Sequence, residues 1–218
     1  MNETCFITHW NIIRKHAVTR NEKVEPGNEN FVNFAAFIKA LYKKEAISYP
    51  KFYKMDNLSK LGFLGAEMLF KDTAFFDRYR KEDIGIVIMN SSSSLDTDLA
   101  YNETIKDKSG YFPSPSVFVY TLPNILIGEI CIRHGIKGEN AFFVSDHFDP
   151  GKMIEAVLLL LDKDHAQACL CGWVEILGAD FESVLFLVEK EKRLQEYRPS
   201  GNYSPFTIES LTKFYQNK

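Results

Sequence analysis

The chain has 218 residues, of which 45% are hydrophobic and 14% aromatic, so it is long enough to bury a core without disulfides or structural metals. Its formal net charge of -3 excludes the overall basic field typical of nucleic-acid-binding and anionic-lipid-binding proteins. The longest apolar run, residues 156–161, is far shorter than the ~20 residues of a membrane-spanning helix. The first residues also lack the layout of a signal peptide. We therefore predict a cytoplasmic protein with no nucleic-acid partner and no membrane span.

The first predicted elements are two amphipathic helices, at 30–45 and 57–75, where apolar residues recur at three- and four-residue spacing. The apolar, β-branched run at 84–90 predicts a buried parallel strand, and the four serines at 91–94 form its exit loop. Another helix is expected at 95–106, and "FPSPS" at 112–116 predicts a rigid extended turn.

In the second half of the chain, a helix begins near Pro123 and ends at Gly135, and a strand follows at 140–145. Asp149 and Pro150 predict the N-cap and first turn of a helix at 150–162, which is apolar on nearly every side. Strands are expected at 166–176 and 182–189, with one short helix at 207–215. Alternating strands and helices predict an α/β layered domain with a largely parallel or mixed sheet.

The metal and redox motifs that cysteines and histidines usually form are absent from the sequence. Cys5, Cys131, Cys169 and Cys171 form no C-x-x-C pair, and the last two should point to one face of a buried strand as small core residues. The histidines lack the i,i+4 spacing of metal ligands. We predict no cofactor and no metal site.

Four segments, in the same order along the chain, resemble the N-terminal half of β-ketoacyl-carrier-protein synthases of the thiolase-like superfamily. They are "YPKFYKMDNLSKLGFLGAEMLF", "DIGIVIMNSSSS", "FPSPSVFVYTLPNILIGEICIRHGIKGEN" and "IEAVLLLLDKDHAQACLCGWVEI". The resemblance covers residues 49–177. It implies a thiolase-like layered fold represented by a single N-terminal-type half, a mixed sheet with helices on both faces. We assign residues 1–193 to this domain and 194–218 to a polar C-terminal tail.

Two departures from the ketosynthase pattern bear on activity. Counting back from Glu155 without a gap, the nucleophilic cysteine of the synthases falls on Asp146, and a shift of one residue gives Ser145 or His147. The chain also ends after about one half of the duplicated fold, whose second half supplies the catalytic histidines of the family. A carboxylate is a poor thioester nucleophile, so the sequence predicts no Claisen condensation by this chain alone.

Ser145, Asp146 and His147 are nevertheless the residue types of a hydrolytic triad, which leaves a small acyl-thioester hydrolase or acyltransferase as an alternative. Successive side chains at a strand end point to opposite faces, and "VSDHF" lacks the glycines of a nucleophile elbow. Local capping roles for Asp146 and Asp149 are the simpler interpretation. Trp173 stands where the family has a second glycine, and it fills either ordinary core or space vacated by a ligand.

Three functions follow from these observations. The first is a non-catalytic ketosynthase-like accessory subunit in fatty acid or polyketide biosynthesis, the second is the small enzyme, and the third is a structural or regulatory module that retains only the fold.

The apolar helix at 150–162 should leave a face to be covered by the tail, a second copy or another protein. The resemblance implies edge-to-edge dimerisation through strand 140–145, as a homodimer or as a heterodimer with a full-length ketosynthase. The charged run at 189–193 is expected to be a solvated strand exit, with Lys190, Lys192 and Arg193 as a weaker candidate surface for an acyl carrier protein.

Overall fold

A computed structural model of the protein describes residues 4–21, 23–25, 31–71, 73–110, 112–162, 165–197 and 203–216. The strands are β1 (Cys5–Arg14), β2 (Ala17–Arg20), β3 (Lys23–Glu25), β4 (Ile84–Asn90), β5 (Asn140–Val144), β6 (Ala168–Leu177), β7 (Asp180–Lys190) and β8 (Ser204–Pro205). The α-helices are α1 (Phe34–Lys44), α2 (Asn57–Phe70), α3 (Phe75–Arg78), α4 (Leu95–Ile105), α5 (Pro115–Phe118), α6 (Ile125–His134), α7 (Pro150–Asp162), α8 (Glu191–Tyr197) and α9 (Ile208–Gln216). Short 3-10 helices lie at Pro50–Lys54 and Lys81–Asp83.

The strands form one mixed sheet in the order β3-β2-β1-β7-β6-β4-β5, and β8 pairs with the first half of β1. Strand β4 pairs in parallel with both β5 and β6, whereas the other pairings are antiparallel. The predicted mixed sheet is confirmed. Strand β5 lies at the edge of the described sheet, so its outer backbone groups are not used by the ladder.

Helices cover both faces of the sheet, and each face has its own hydrophobic core. Alternate residues of a strand point to opposite faces, which is why Ile86 and Ile88 join one core and Val87 and Met89 the other. The first core contains α1, α2 and α6, and the second contains α7 and α9. Cys169 and Cys171 are buried together in the second core, as predicted.

Helix α2 is buried on nearly every side instead of being amphipathic. Eleven of its 14 residues are buried, because it lies between the sheet, α1 and α6. Gly65 permits this close approach, since a Cβ atom there would lie 2.7 Å from Cδ1 of Leu185. The Gly65 carbonyl accepts a hydrogen bond from Nδ2 of Asn11 at 2.7 Å, which ties α2 to the buried centre of β1.

The charged run at 189–193 does not form the solvated strand exit that the sequence suggested. Glu189 is completely buried, and its carboxylate accepts hydrogen bonds from Thr8 Oγ1 at 2.6 Å, Tyr79 Oη at 2.6 Å and Arg78 Nη1 at 2.8 Å. Burial and the neighbouring Glu189 carboxylate raise the pKa of the Tyr79 hydroxyl. Lys190 is 1% exposed, so it cannot contribute to a docking surface, and α8 begins at the next residue.

The expected uncovered face of α7 is largely covered by the C-terminal segment. Helix α9 packs against α7, and Leu211 is fully buried in the second core together with Phe206 and Phe214. Among the residues of α7, which the structure describes throughout, Leu159 is the large apolar side chain that stays exposed. The solvent-facing side of α7 therefore does not require a protein partner.

We predict that Leu211→Ala destabilises the protein by about 2–5 kcal/mol, because it removes a fully buried side chain from the contact between α9 and the second core. Ile208→Ala, in the same helix but at a position that is 58% exposed, should change the free energy of unfolding by less than about 0.5 kcal/mol. Urea denaturation of both variants measures the difference. Similar effects would contradict the packing of α9 as core.

Candidate functional site

The turn after β5 projects two of its three candidate residues into solvent. The Ser145 backbone N–H donates to the Asn90 carbonyl at 2.8 Å, which extends the β4–β5 ladder by one residue. The chain then leaves the sheet, and the Asp146 and His147 side chains are 85% and 70% exposed. Their Oδ1 and Nδ1 atoms lie 2.8 Å apart, so they form a local surface pair.

Asp149 caps the N-terminus of helix α7, as the sequence predicted. Its Oδ1 atom accepts a hydrogen bond from the Lys152 backbone N–H at 3.1 Å, and its carbonyl accepts from the Met153 N–H at 3.0 Å. The hydrogen bond from the Lys152 backbone N–H holds the pKa of the Asp149 carboxyl below its usual range. The carboxylate at the helix N-terminus is thus Asp149, whereas Asp146 lies outside the capping interaction.

The structure does not assemble a Ser–His pair from this turn. The Ser145 Oγ atom is buried and has no hydrogen-bond partner within the described part of the chain, and His147 pairs with Asp146 instead. A serine without a general base in hydrogen-bond reach is not an activated nucleophile. The three residue types are therefore neighbours in sequence without the mutual contacts of a hydrolase.

A row of polar side chains, hereafter the polar row, crosses the sheet on the α7 side at the carboxyl ends of β4, β5 and β6. Strand register places Arg14 opposite Glu182 and Glu182 opposite Glu175. Ser91 and Ser145 continue the row beyond the paired ends of β4 and β5. The row one pleat below is apolar, with Ile12, Val184, Trp173, Met89 and Phe143.

Glu175 anchors the serine loop to this row. Its Oε2 atom accepts hydrogen bonds from Ser91 N at 2.6 Å, Ser91 Oγ at 2.8 Å and Ser92 N at 3.1 Å. At the other end of the row, Glu182 accepts from Arg14 Nε at 2.8 Å and from Tyr215 Oη at 2.7 Å. Burial raises the pKa of the Tyr215 hydroxyl, so the tyrosine remains a donor. The sequence showed Glu175 only as a glutamate near the end of the predicted strand. It did not show that the serine loop would be its hydrogen-bond partner.

Trp173 lies beneath the row and fills core volume. It is 3% exposed and meets the Phe148 ring edge-on, with centroids 6.2 Å apart. Phe148 in turn contacts the Tyr215 ring at 4.7 Å, so aromatic rings from β6, the α7 entry and α9 close this region. The indole Nε1 atom has no hydrogen-bond partner in the described residues.

Two further kinds of site are absent from the described ranges. No group of three or more His, Cys, Asp or Glu side chains there is arranged to hold a metal ion. None of the helices in these ranges combines the length and apolar character needed to cross a bilayer. His134, at the end of α6, pairs with Glu67 at 2.8 Å and stacks on Phe76, which is a structural role.

Comparison of the fold with solved structures finds extensive similarity to ketosynthases. The ishigamide ketosynthase/chain length factor matches with a TM-score of 0.65 and 17% identity, covering 87% of this chain and 63% of the matched chain. The second match is AntDE:AntF, a type II polyketide synthase acyl-carrier protein in complex with its ketosynthase. It has a TM-score of 0.65 and 15% identity, and it covers 91% of this chain and 66% of the matched chain. The third match is the ketosynthase ApeO in complex with its chain length factor ApeC, from Xenorhabdus doucetiae. It has a TM-score of 0.53 and 15% identity, and it covers 86% of this chain and 79% of the matched chain.

The chain has a ketosynthase-like, thiolase-type fold. It spans less than two thirds of the matched chains in the first two comparisons. No family model matches the sequence, and no curated protein matches it. The resemblance read from four sequence segments is thereby confirmed at the level of the fold, and the ketosynthase-like fold places the turn after β5 next to the start of α7.

We predict that Asp149→Ala destabilises the protein by about 1 kcal/mol, because α7 loses its N-cap acceptor. Asp146→Ala should change stability by less than about 0.5 kcal/mol, since the side chain is 85% exposed. The Asp149 pKa is lowered in the folded state, so the stabilisation is present above the unfolded pKa of about 3.9 and is lost as pH falls through the folded-state pKa. Urea titrations at pH 7 and pH 3 measure both effects, and equal losses for the two variants would contradict the assignment.

Proposed function

We propose that the protein is a non-catalytic, cytoplasmic ketosynthase-like subunit that pairs with an active ketosynthase in polyketide or fatty acid biosynthesis. One observation carries this proposal: Asp146, which the sequence register assigns to the nucleophile position of the synthases, has an exposed side chain outside the capping interactions of α7. A synthase nucleophile works as a thiolate that the helix N-terminus stabilises. Asp146 offers neither a thiol nor that position.

The comparisons support a partner role because two of the matched structures are described as a ketosynthase with a chain length factor. In the ApeO–ApeC complex the match covers 86% of this chain and 79% of the matched chain. A chain not much longer than this one therefore adopts the same fold in a complex of that kind. By analogy, the present chain shapes or stabilises a catalytic partner.

The partner surface that fits this proposal is the edge strand β5. Phe143 is 42% exposed and Val144 is 58% exposed, and an open edge with apolar side chains is a template for pairing with another strand. Both a second copy and the equivalent strand of a full-length ketosynthase can supply that strand. The proposal favours the ketosynthase, because a homodimer of this chain would lack a nucleophilic cysteine at both aligned positions.

We predict that Val144→Arg abolishes pairing with the ketosynthase while leaving the fold intact, because it places a charge on the exposed last residue of β5, within the proposed strand interface. Val32→Arg, at a valine that is 92% exposed outside β5, is the matched control and should pair normally. Tagged variants are co-expressed with the ketosynthase encoded by the same host and the recovered ratio is measured. Equal recovery with both variants would remove β5 from the interface.

A second surface suits an acidic acyl carrier protein. Residues 31–66 contain six lysines and two carboxylates. Glu45 is 4% exposed and pairs with Arg20 and Lys71, and Asp56 caps α2 and accepts from Thr97, so neither carboxylate offsets the lysines at the surface. Tyr42 of α1 stacks on Phe52 of the first 3-10 helix at 4.2 Å, which brings the lysines of both elements onto adjoining surfaces. The exposed lysines are Lys39, Lys43, Lys44 and Lys54, together with Lys51, which pairs with Glu129 at 2.8 Å.

We predict that the double variant Lys43→Glu/Lys54→Glu weakens carrier-protein binding by about tenfold or more, and that salt reduces the difference, because the attraction is electrostatic. Lys192→Glu/Lys213→Glu reverses the same number of charges on two other exposed lysines and should bind like the parent. Isothermal titration with the host carrier protein at two salt concentrations measures both. A larger loss in the second variant would return the docking surface to α8 and the C-terminal segment.

The experiment that tests the proposed function as a whole is affinity purification of the tagged protein from its own host at mild salt, with quantitative mass spectrometry. Near-stoichiometric recovery of a full-length ketosynthase, together with condensation activity that requires both chains, is the expected result. Recovery of a self-contained oligomer, with a ketosynthase that is fully active alone, would overturn the proposal and favour a structural or regulatory module.

A further inference from the structure

Helix α6 presents apolar residues to solvent and ionisable residues to the interior. Ile132 is 66% exposed, and the half-buried Gly128 and Ile125 lie one and two turns before it on the same side of the helix. A helix at the surface of a globular protein normally has the opposite arrangement, with its apolar stripe facing the core. These three residues are hereafter the outer face of α6.

The ionisable side chains of α6 are all engaged within the chain. Glu129 is 3% exposed and pairs with Lys51 at 2.8 Å. Arg133 and His134 both pair with Glu67 of α2, at 3.0 Å and 2.8 Å. These contacts fix the rotation of α6 about its axis, so the outer face stays turned away from the core.

Gly128 has no packing role within the described part of the chain. A Cβ atom at this position would meet no atom within 4 Å, so the chain itself has room for alanine there. Gly62 differs, because a Cβ atom there would lie 2.3 Å from Cδ1 of Leu126 and would push α6 away from α2. Glycine destabilises a helix interior relative to alanine, and it is typical of positions where another backbone approaches closely.

The outer face lies towards the open edge of the sheet. Helix α2 packs on β1, β6 and β7, and Leu126 is the α6 residue that meets Gly62 of α2. Residues 135–139 join α6 directly to the edge strand β5, and Cys131 and Phe142 pack against the same core. Helix α6 is therefore the element of this layer next to β5, and its side away from α2 continues the β5 edge.

Strand β5 alone is too small for a stable protein interface. It has five residues, whereas each partner in a specific interface contributes about 20–30 residues. A chain that pairs with β5 must therefore cover further surface beside it. We propose that a helix of the ketosynthase that pairs with β5 packs on the outer face of α6, in contact with the Gly128 backbone. The inference rests on the proposed function and adds a second element to the same interface.

Substitutions of Gly128 separate a partner contact from a structural role, because the two roles predict opposite changes. Gly128→Ala should raise the melting temperature of the isolated chain by about 1–4 °C, since it improves helix propensity without a clash. It should nevertheless weaken binding to the ketosynthase recovered with the tagged protein by about three- to tenfold, and Gly128→Leu by about ten- to a hundredfold. Isothermal titration of the purified chain with that ketosynthase measures the affinities.

The matched control is Ala35→Leu, which adds bulk at an exposed position of α1 and should bind like the parent. Parental affinity in both Gly128 variants would overturn the inference. An equal loss of affinity in the control would overturn it as well, because the effect would not belong to α6.

Hydroxyl-radical footprinting of Ile132 locates the contact directly. We expect labelling of Ile132 in the isolated chain and its loss when the ketosynthase is bound. Undiminished labelling in the complex would overturn the inference while the recovered ketosynthase still supports the proposed function. Protection that appears without the ketosynthase, as the chain dimerises with rising concentration, would overturn it in favour of a second copy. Failure to recover any ketosynthase would overturn the proposed function and this inference together.

Discussion

The two parallel pairings of β4 are the constraint on which the rest of the structure depends. All seven residues of β4 are buried, and the strand aligns the ends of β5 and β6 at one edge of the sheet. Glu175 can reach the serine loop because Ser91 directly follows β4 in the same register. The turn that carries Asp146 reaches the surface at this edge for the same reason. A shift of β4 by one residue would exchange the two faces of the strand and separate these groups.

The same constraint explains why the fold does not depend on the side chain at position 146. The fold depends on β4, on the apolar row below the polar row and on the cap of α7. Asp149 accepts the capping hydrogen bond of α7, so Asp146 has no capping role and its carboxylate is exposed to solvent. The side chain at position 146 can thus change without loss of the packed core.

Local sequence patterns predicted β4, β5, β6, β7 and α7, because their apolar runs and capping residues are determined by neighbours in sequence. Strand β1 was not predicted, because the buried polar residues Thr8 and Asn11 interrupt its apolar pattern. These two side chains donate hydrogen bonds to Glu189 and to the Gly65 carbonyl. The buried Glu189 escaped for the same reason, since Arg78 and Tyr79 lie more than 100 residues away. Within the candidate site, the sequence predicted the turn after β5. It assigned no role to Glu175, because the contact that defines this role joins β6 to the serine loop after β4.

The central position of β1 has a consequence for how the chain is made. Its partners in β7 are residues 182–190, so the sheet joins segments separated by about 170–185 positions and has high contact order. During synthesis, β1 and β2 leave the ribosome long before β7 exists, and their apolar faces stay unpaired for that interval. The β1–β7 pairing can therefore form only after nearly the whole chain has been made, and the high contact order favours slow folding.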